Sequence, residues 1–512
     1  MQPAPGKATR EGPHEAHLAI ERFLKASQKP FLLDPGEDPL AITPDTFALT
    51  KRGNIVTLAC WSESRNLTRR VTGVKLEKPG RLELEIERFG GRPGILSLID
   101  MDRAANQDAT RRGTRLKYRE RLRHSLHRQF PDWRIVEMSS EPDLEHSLSP
   151  SYPRALLRKG LSGLAVIGAP EDSPQPEDCL TFGLIWLDYL RQREPKLVIE
   201  GLVVFVPAGR EAATCHRVRY LNPKAARFLV YVQLVTSHEG SAGGWEQRVN
   251  PGDYTNLDTH LDPCKHALAE ATPEILRWTE KIGAIEGVER RERPDGSISF
   301  ATRGLEFARA NGDELVYGLD RKHPVRSQTH LTELLGLARG LARTRNANSA
   351  DRQNPLYARH PEAWLESQVR AQLDVIDASL LPSPVYGQVP EMASGTRGIL
   401  DLVAVDRSGR LAVVELKASQ DIHLPLQVLD YWMRVKWHLV RDELQQKGYF
   451  PGIRLSKDAP RVVMAAPALE WHPANETVLK YLAPEIDVTR VGIGLKWRRG
   501  IEVMFRSRAN LR

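Results

Sequence analysis

The chain has 512 residues, 41% of them hydrophobic and 27% charged, and its formal net charge is +8. This length and composition exclude a small disulfide scaffold and a disordered chain, and the length alone suggests about three domains. The basic excess fits a polyanionic partner such as nucleic acid, but it does not establish one.

The cysteines and the apolar runs narrow the class of protein further. Cys60, Cys179, Cys215 and Cys264 lie far apart and form no CxxC pair, which argues against zinc ribbons and suits a reducing compartment. The first residues are polar and charged, unlike a signal peptide, and the longest apolar runs are too short to span a bilayer. We therefore expect a soluble, cytoplasmic protein with no membrane partner.

In chain order, the patterns predict an α/β (α+β) multidomain protein. An N-terminal tail and helix (1–45) precede an antiparallel β module (46–105), in which period-two alternation is punctuated by glycine and proline. The remaining blocks are 106–210, 211–350 and 351–512. The second of these is β-rich and then α/β, and it ends in a polar stretch that is typical of a linker.

A very basic helix opens the block 106–210. At helical spacing one of its faces is formed by Lys117, Arg121, His124 and Arg128, opposite two leucines. This face is either a solvated amphipathic surface or a phosphate-contacting one, and the sequence leaves both open.

A second candidate for nucleic-acid contact lies near the end of the chain. Trp432 and Trp437 stand next to Arg434 and Lys436, so these side chains could stack bases and contact phosphates. Packing is the commoner role for such aromatic residues, and it is the alternative interpretation.

The most informative stretch is LDLVAVDRSGRLAVVELKAS, residues 400–419. Its turn, DRSGR, places Gly409 where a three-residue hairpin loop requires a left-handed residue. The register that this turn sets puts Asp401 directly opposite Glu415 on the neighbouring strand. Lys417 follows two residues later and therefore projects from the same face of the sheet.

The expected burial of Asp401, Glu415 and Lys417 indicates that their charges have a specific partner. The flanking residues are apolar on both faces, and a bare carboxylate in such a place costs on the order of several kcal/mol. One lysine cannot neutralise two carboxylates, so a buried salt bridge explains the pattern less well than a divalent cation, which takes oxygen ligands. The sequence therefore predicts a metal site at Asp401 and Glu415.

Further motifs extend this pattern through Pro361 to about Pro467. They are WLES with Glu366, GILD with Asp401, VVELK with Glu415 and Lys417, and QVLDY with Gln427 and Tyr431. In this order they resemble the PD-(D/E)XK nuclease superfamily, in particular its RecB-like and NucS-like branch. The resemblance implies a C-terminal restriction-endonuclease-like αβββαβ core.

The resemblance also implies a set of metal ligands. Asp401 and Glu415 would bind Mg²⁺ or Mn²⁺, helped by the backbone carbonyl of Leu416. Glu366 would add an outer or second metal contact. Glu362, one turn earlier on the same helix, is an alternative to Glu366.

The same resemblance assigns catalytic roles to other side chains. Lys417 would orient and help to deprotonate the attacking water, and it would stabilise charge on the phosphate. Gln427 and Tyr431, one helical turn apart, would flank the site and contact the backbone phosphate, although simple packing explains both equally well. His423 is either a helix-cap residue or a phosphate contact.

An internal similarity indicates a second copy of the hairpin and helix in the block 106–210. SGLAVIGAPEDS is similar to SGRLAVVELKASQD, and LIWLDYLRQR is similar to LQVLDYWMRVK. The earlier copy has Gly168 and Pro170 at the positions of Glu415 and Lys417. We expect a degenerate nuclease-like domain that has lost its metal site. The alternative is coincidence between two common hairpin-plus-helix units.

Together these patterns predict a metal-dependent DNA nuclease. An endonuclease is favoured because much of the chain resembles a binding platform and no motor motif is present, and without a P-loop no nucleotide cofactor is expected. Two alternatives stay open. One is a non-catalytic nucleic-acid-binding scaffold subunit of a DNA repair or defence complex, and the other is an RNA-directed nuclease. A homodimer and partner proteins are also left open.

Overall fold

The computed structural model describes residues 12–33, 40–43, 46–53, 55–61, 66–88, 92–234, 245–267, 271–349, 351–352, 354–387 and 402–509. It divides into two compact units, residues 1–120 and 121–512. In this described part of the chain, no helix combines the length and the apolar character that crossing a membrane requires.

The first unit is built on a seven-stranded antiparallel sheet. Its elements are α1 (Pro13–Ala26), β1 (Pro30–Leu33), β2 (Leu40–Ala41), β3 (Phe47–Arg52), β4 (Ile55–Trp61), β5 (Asn66–Lys78), β6 (Arg81–Arg88) and β7 (Arg92–Asp100), in the spatial order β2-β1-β7-β6-β5-β4-β3. Alternate residues such as Val56, Leu58 and Leu82 are buried against Ile20 and Phe23 of α1. The sheet starts before residue 46, because β1 pairs with β7.

The second unit contains three sheets, and the first of them lies in its N-terminal part. Its elements are α2 (Met101–Gln129, which begins in the first unit), β8 (Arg134–Ser139), β9 (Arg154–Lys159), β10 (Ser162–Gly168), α3 (Cys179–Arg193), β11 (Val198–Pro207), α4 (Ala212–Val218), β12 (Arg227–Leu234) and β13 (Trp245–Val249), with 3-10 turns at Pro176–Asp178 and Pro251–Asp253. The six strands follow the spatial order β13-β12-β11-β10-β9-β8. The sheet therefore continues past residue 210, because β12 and β13 complete it.

The next sheet is a five-stranded antiparallel meander with a helix before and after it. Its elements are α5 (Pro273–Gly283), β14 (Glu289–Glu292), β15 (Ile298–Thr302), β16 (Leu305–Asn311), β17 (Glu314–Tyr317), β18 (His323–Pro324) and α6 (Gln328–Thr344). Arg345, directly after α6, is 1% exposed and lies 4.9 Å from the ring of Trp364. It donates hydrogen bonds to the backbone carbonyls of Thr302, Arg303, Leu356 and Arg359. Arg345 thus joins the meander to the C-terminal part of the chain.

The last sheet has six strands in the order β19-β20-β21-β22-β23-β24. Its elements are α7 (Pro355–Ala358), α8 (Pro361–Ala371), α9 (Leu373–Ile376), β19 (Tyr386–Gly387), β20 (Leu402–Val405), β21 (Leu411–Leu416), α10 (Leu424–Val440), α11 (Glu443–Gln446), β22 (Arg461–Pro467), α12 (Ala474–Leu479), β23 (Val488–Ile493) and β24 (Val503–Ala509). Apart from the four-residue helices α9 and α11, a helix, three strands, a helix and a strand follow one another from α8 to β22. The restriction-endonuclease-like core that the resemblance implied stays a prediction.

The sheets of residues 134–249 and 386–509 have the same topology, and we call them the middle repeat and the C-terminal repeat. In each sheet, the first three strands pair in antiparallel fashion, the third, fourth and fifth pair in parallel, and the fifth and sixth pair in antiparallel fashion. α3 and α10 follow the third strand, and α4 and α12 follow the fourth. One continuous apolar core includes residues of both repeats. The mixed α/β, multidomain character expected from the sequence is present.

Candidate functional site

The β20–β21 hairpin closes through a tight turn. The carboxylate of Asp406 accepts hydrogen bonds from the N–H groups of Ser408 at 2.9 Å and Arg410 at 3.0 Å. Gly409 has a φ of +85°, and a Cβ on it would lie 2.3 Å from the carbonyl oxygen of Arg454. Glycine is therefore required in this turn both by its backbone conformation and by the close approach of a neighbouring loop.

The register of the hairpin is the predicted one. Leu402 lies opposite Val414, and the pairs nearer to the turn follow in step. Every residue of β20 and β21 is buried, as the apolar flanks predicted. Asp401 directly precedes β20 but lies outside the described residues, so its position opposite Glu415 stays a prediction.

Glu415 and Lys417 form the charged end of β21. Glu415 is 2% exposed, and the Lys417 amine lies 3.7 Å from its Oε1. The amine also lies 3.5 Å from Oδ2 of Asp421. The backbone N–H of Lys417 donates to the carbonyl of Ala465 at 3.1 Å, so the parallel pairing with β22 continues past the strand end. The structure thus brings two predicted residues together and adds Asp421, which sequence analysis missed.

Gln427 and Tyr431 line a cavity of about 360 Å³ on one face of α10. Tyr431 is 2% exposed, whereas Gln427 is half-buried and its Oε1 accepts no hydrogen bond from the described residues. Asp421 lines the same cavity, which therefore adjoins the Lys417 amine. The remaining lining residues are Asp178, Arg217, His423, Asp430 and Arg434.

The middle repeat contributes to this cavity through Arg217 of α4. Arg217 makes a two-point ion pair with Asp430 of α10, at 3.0 and 2.8 Å, and donates to the carbonyl of Glu177 at 2.9 Å. Burial by itself would lower the pKa of Arg217, but the charge and hydrogen bonds of Asp430 hold that pKa above its usual range. The ion pair fixes the face of α10 that carries Gln427 and Tyr431.

His423 joins the starts of α3 and α10. Its Nδ1 lies 3.0 Å from Oγ1 of Thr181, and its Nε2 lies 3.6 Å from Oδ2 of Asp178. Its backbone N–H donates to Oδ1 of Asp421 at 2.8 Å. Asp178, Thr181 and Arg217 were not expected at the site, because they reach it from the other repeat and no local sequence pattern marks them.

Glu366 is held by two arginines. It is 2% exposed, and its Oε1 accepts hydrogen bonds from Arg291 of β14 and Arg370 of α8, both at 3.1 Å. Glu289 extends the cluster by pairing with Arg291 at 2.6 Å. Glu362, the alternative, is half-buried in the first turn of α8. These contacts give Glu366 a structural function, and its role as an outer metal ligand stays a prediction.

The basic face predicted on α2 is present, but parts of it are engaged within the protein. Lys117 is exposed, and the two leucines on the opposite face are buried. Arg121 pairs with Glu171 at 2.5 Å, and Arg128 pairs with Glu246 at 2.6 Å. Arg121 and Arg128 are therefore each paired with a carboxylate, although Arg128 is itself exposed.

Arg434 and Lys436, the other predicted phosphate contacts, have different surroundings. Arg434 lines the cavity described above. Lys436 pairs with Glu485 at 2.8 Å and lies 4.7 Å from the ring centre of Trp432. Trp432 is fully buried, and its Nε1–H donates to the carbonyl of Pro460 at 2.7 Å, so it packs in the core.

The donors at the end of β21 are of the kind that Mg²⁺ and Mn²⁺ prefer. Glu415 and Asp421 supply carboxylate oxygens, and Leu416 supplies a backbone carbonyl. Within the described ranges, no three His, Cys, Asp or Glu side chains converge on a metal-sized space. The donor set fits a hard divalent cation in chemical type, and Asp401, the other predicted ligand, lies outside the described residues.

Comparisons with known proteins supply no relative. No family model, no curated protein and no solved structure matches the chain. The function must therefore be argued from the site itself.

Proposed function

We propose that the protein is a metal-dependent nuclease that hydrolyses phosphodiester bonds in DNA, with its active centre at the end of β21. The observation that carries this proposal is the placement of Glu415 beside Lys417 at the buried end of a central strand. The middle repeat reaches the same topology with Gly168 and Pro170 at these positions. Since the fold does not require the charges, we assign them to chemistry.

Asp401, Glu415 and the carbonyl of Leu416 hold the cation in this proposal. A bound Mg²⁺ or Mn²⁺ supplies Lewis-acid polarisation of a phosphoryl oxygen and makes hydroxide available near neutral pH. The buried position of Glu415 suits this role, because a carboxylate removed from water binds a divalent cation without competing hydration.

Lys417 acts on the reacting groups directly. Its amine, held between Glu415 and Asp421, orients the attacking water and donates a hydrogen bond to the scissile phosphate. The attacking water gives up a proton to solvent as its oxygen bonds to phosphorus, one P–O ester bond breaks, and the departing alkoxide takes up a proton from solvent. Gln427 and Tyr431 contact the neighbouring backbone phosphate from the wall of the cavity.

The direct test incubates the full-length protein with labelled single-stranded, duplex, mismatched and branched DNA and with RNA, each with Mg²⁺, Mn²⁺ or EDTA. We expect cleavage of DNA that requires the metal and is lost in Asp401→Ala and Lys417→Met. Cleavage that survives both substitutions would refute the assigned centre. Cleavage confined to RNA would replace DNA as the substrate, and binding without cleavage under every condition would indicate the scaffold alternative.

A further inference from the structure

The two repeats meet through matching segments. The sequence Tyr-Leu-x-Pro occurs after α4, at residues 220–223, and again after α12, at residues 481–484. Leu221 and Leu482, the equivalent leucines, pair in an antiparallel bridge. Beside this bridge, the N–H of Asn222 donates to the carbonyl of Tyr481, and the N–H of Ala483 donates to the carbonyl of Tyr220, both at 2.8 Å. We call this contact between the two repeats the seam. Equivalent residues that pair in antiparallel fashion are related by a local two-fold rotation, as in the interface of a symmetric dimer.

The helices around this seam also pack in a reciprocal way, since the helix after the third strand of each repeat contacts the helix after the fourth strand of the other. α3 packs against α12, and α10 packs against α4. Asp188 of α3 lies 3.3 Å from the hydroxyl of Tyr481, and Asp430 of α10 pairs with Arg217. Asp188 and Asp430 are the central residues of the Leu-Asp-Tyr sequence that both helices contain. The repeats are therefore arranged as the two subunits of a dimer would be, within one chain.

The two halves differ at the strand ends. The middle repeat has Gly168 and Pro170 where the C-terminal repeat has Glu415 and Lys417. Pro153, whose carbonyl accepts a hydrogen bond from the N–H of Gly168 at 3.0 Å, stands where the register places Asp401. None of these three positions of the middle repeat offers a carboxylate or an amine, so only one half carries the chemistry.

The ends of β10 and β21 lie on the same side of the two repeats. β10 and β21 are each followed by a loop and a helix, and the two helix starts touch where His423 lies 3.0 Å from Thr181. A strand ends on the side where its following helix begins, so the competent end and its inactive counterpart lie on one shared side.

We propose that the protein binds duplex DNA across both halves and cuts one strand in each binding event. This inference rests on the proposed nuclease function. The antiparallel strands of a duplex are related by two-fold axes, and proteins with two-fold symmetry match them. One strand then meets Glu415 and Lys417, and the other meets the inactive end of the middle repeat. Hydrolysis of one ester bond leaves a nicked duplex.

The test uses the full-length protein bound to supercoiled plasmid without metal. The reaction is started with Mn²⁺ together with an excess of unlabelled competitor duplex, so that each protein acts only once. We expect open-circular DNA as the dominant product, with a loss of linear product relative to the reaction without competitor. Lys417→Met serves as the control for contaminating nucleases and is expected to leave the plasmid supercoiled.

The outcomes separate this inference from the function on which it rests. Linear DNA formed in the presence of competitor, without an open-circular intermediate, would overturn the single-strand claim. Cleavage of single-stranded DNA alone would overturn the duplex claim while leaving the nuclease intact. Failure to cut any nucleic acid would remove the proposed function, and the inference with it.

Binding stoichiometry gives a readout that is independent of cleavage. Native mass spectrometry of Lys417→Met protein with a duplex of about 20 bp, roughly two turns, should show one chain per duplex. It should also show weaker binding to the corresponding single strand. Two chains on each duplex would contradict the proposal, because the second copy would then supply the second centre.

Discussion

The middle and C-terminal repeats differ far more in their strand ends than in their folds. Both have the same strand order and directions, and both bury the third strand completely or nearly so. One of these strands ends in Gly168, and the other ends with Glu415 before Leu416. The middle repeat shows that the sheet forms with an uncharged residue at the end of its third strand. Keeping a buried charge at the same place is therefore best explained by function.

The largest effect that we expect is the loss of DNA cleavage when the charged residues at the end of β21 in the C-terminal repeat are replaced. Glu415→Gln and Lys417→Met should each reduce the DNA cleavage rate by at least about 10²-fold, because they remove a cation ligand and the amine. Pro170→Ala, at the place of Lys417 in the middle repeat, should leave the rate unchanged. Single-turnover cleavage with matched protein concentrations measures all three. Equal losses in both repeats would show that the difference between them has no catalytic meaning.

The next effect concerns the ion pair that joins the repeats. Arg217→Ala should lower the free energy of unfolding by about 3 kcal/mol, because it leaves Asp430 without its two-point partner. We take the low end of the usual range, since the Asp430 side chain is 22% exposed.

Urea denaturation of the single variant and of Arg217→Met with Asp430→Leu checks this prediction. The double variant should recover most of the loss, because removing both charges also removes the uncompensated one. If the double variant is at least as unstable as Arg217→Ala, the pair does not contribute as described.

A smaller effect distinguishes two roles of Glu366. Glu366→Gln should cost about 2 kcal/mol of stability, because its carboxylate accepts charged hydrogen bonds from Arg291 and Arg370. The cleavage rate of the folded fraction should stay unchanged if Glu366 acts structurally. Glu362→Gln, on the same helix, serves as the matched control in denaturation and cleavage assays. A reduced rate at full stability would instead support the outer metal ligand.

The smallest effect is a pH dependence at the end of α10. His438 has no counterpart in α3, which ends at Arg193. Burial lowers the pKa of His438. The carboxylate of Glu443, whose Oε2 lies 2.5 Å from Nδ1 of His438, partly opposes this shift through its hydrogen bond and its charge. The unfolded chain, with a histidine pKa of about 6.5, therefore binds the proton more readily than the folded one.

Stability from His438 is thus present above about pH 6.5 and is lost as the pH falls toward the lower folded-state pKa. Denaturation midpoints measured from pH 7.5 downward should fall less steeply in His438→Gln than in the wild type. His124→Gln, which changes an exposed histidine, serves as the control. Identical slopes in wild type and His438→Gln would contradict the assignment.

Local patterns predicted the parts of the site that lie close together in sequence. The turn at Gly409 fixed the hairpin register, since its conformation excludes other residues and strand pairing follows from it. The order of elements in both repeats followed from the alternation of apolar strands and helices. The predicted block 106–210 stops before β12 and β13 of the middle sheet, because the sequences of these strands show no similarity to those of β23 and β24. The Tyr-Leu-x-Pro sequence was the missed signal.

Contacts across long sequence separations could not be predicted in this way. Arg291 reaches Glu366 from a different sheet, and Arg217 reaches Asp430 from the other repeat. Such pairs depend on how whole sheets pack, and no periodicity in either segment encodes the partner. The same reason hid the contribution of Asp178 to the cavity.

In the proposed function, the end of β21 holds a divalent cation and the equivalent end of β10 does not. Isothermal titration of Mn²⁺ into DNA-free protein tests it most directly, with wild type, Glu415→Gln and Pro170→Ala compared at equal concentration. We expect saturable Mn²⁺ binding in the wild type and in Pro170→Ala, and its loss in Glu415→Gln. Absence of binding in the wild type, or undiminished binding in Glu415→Gln, would contradict it.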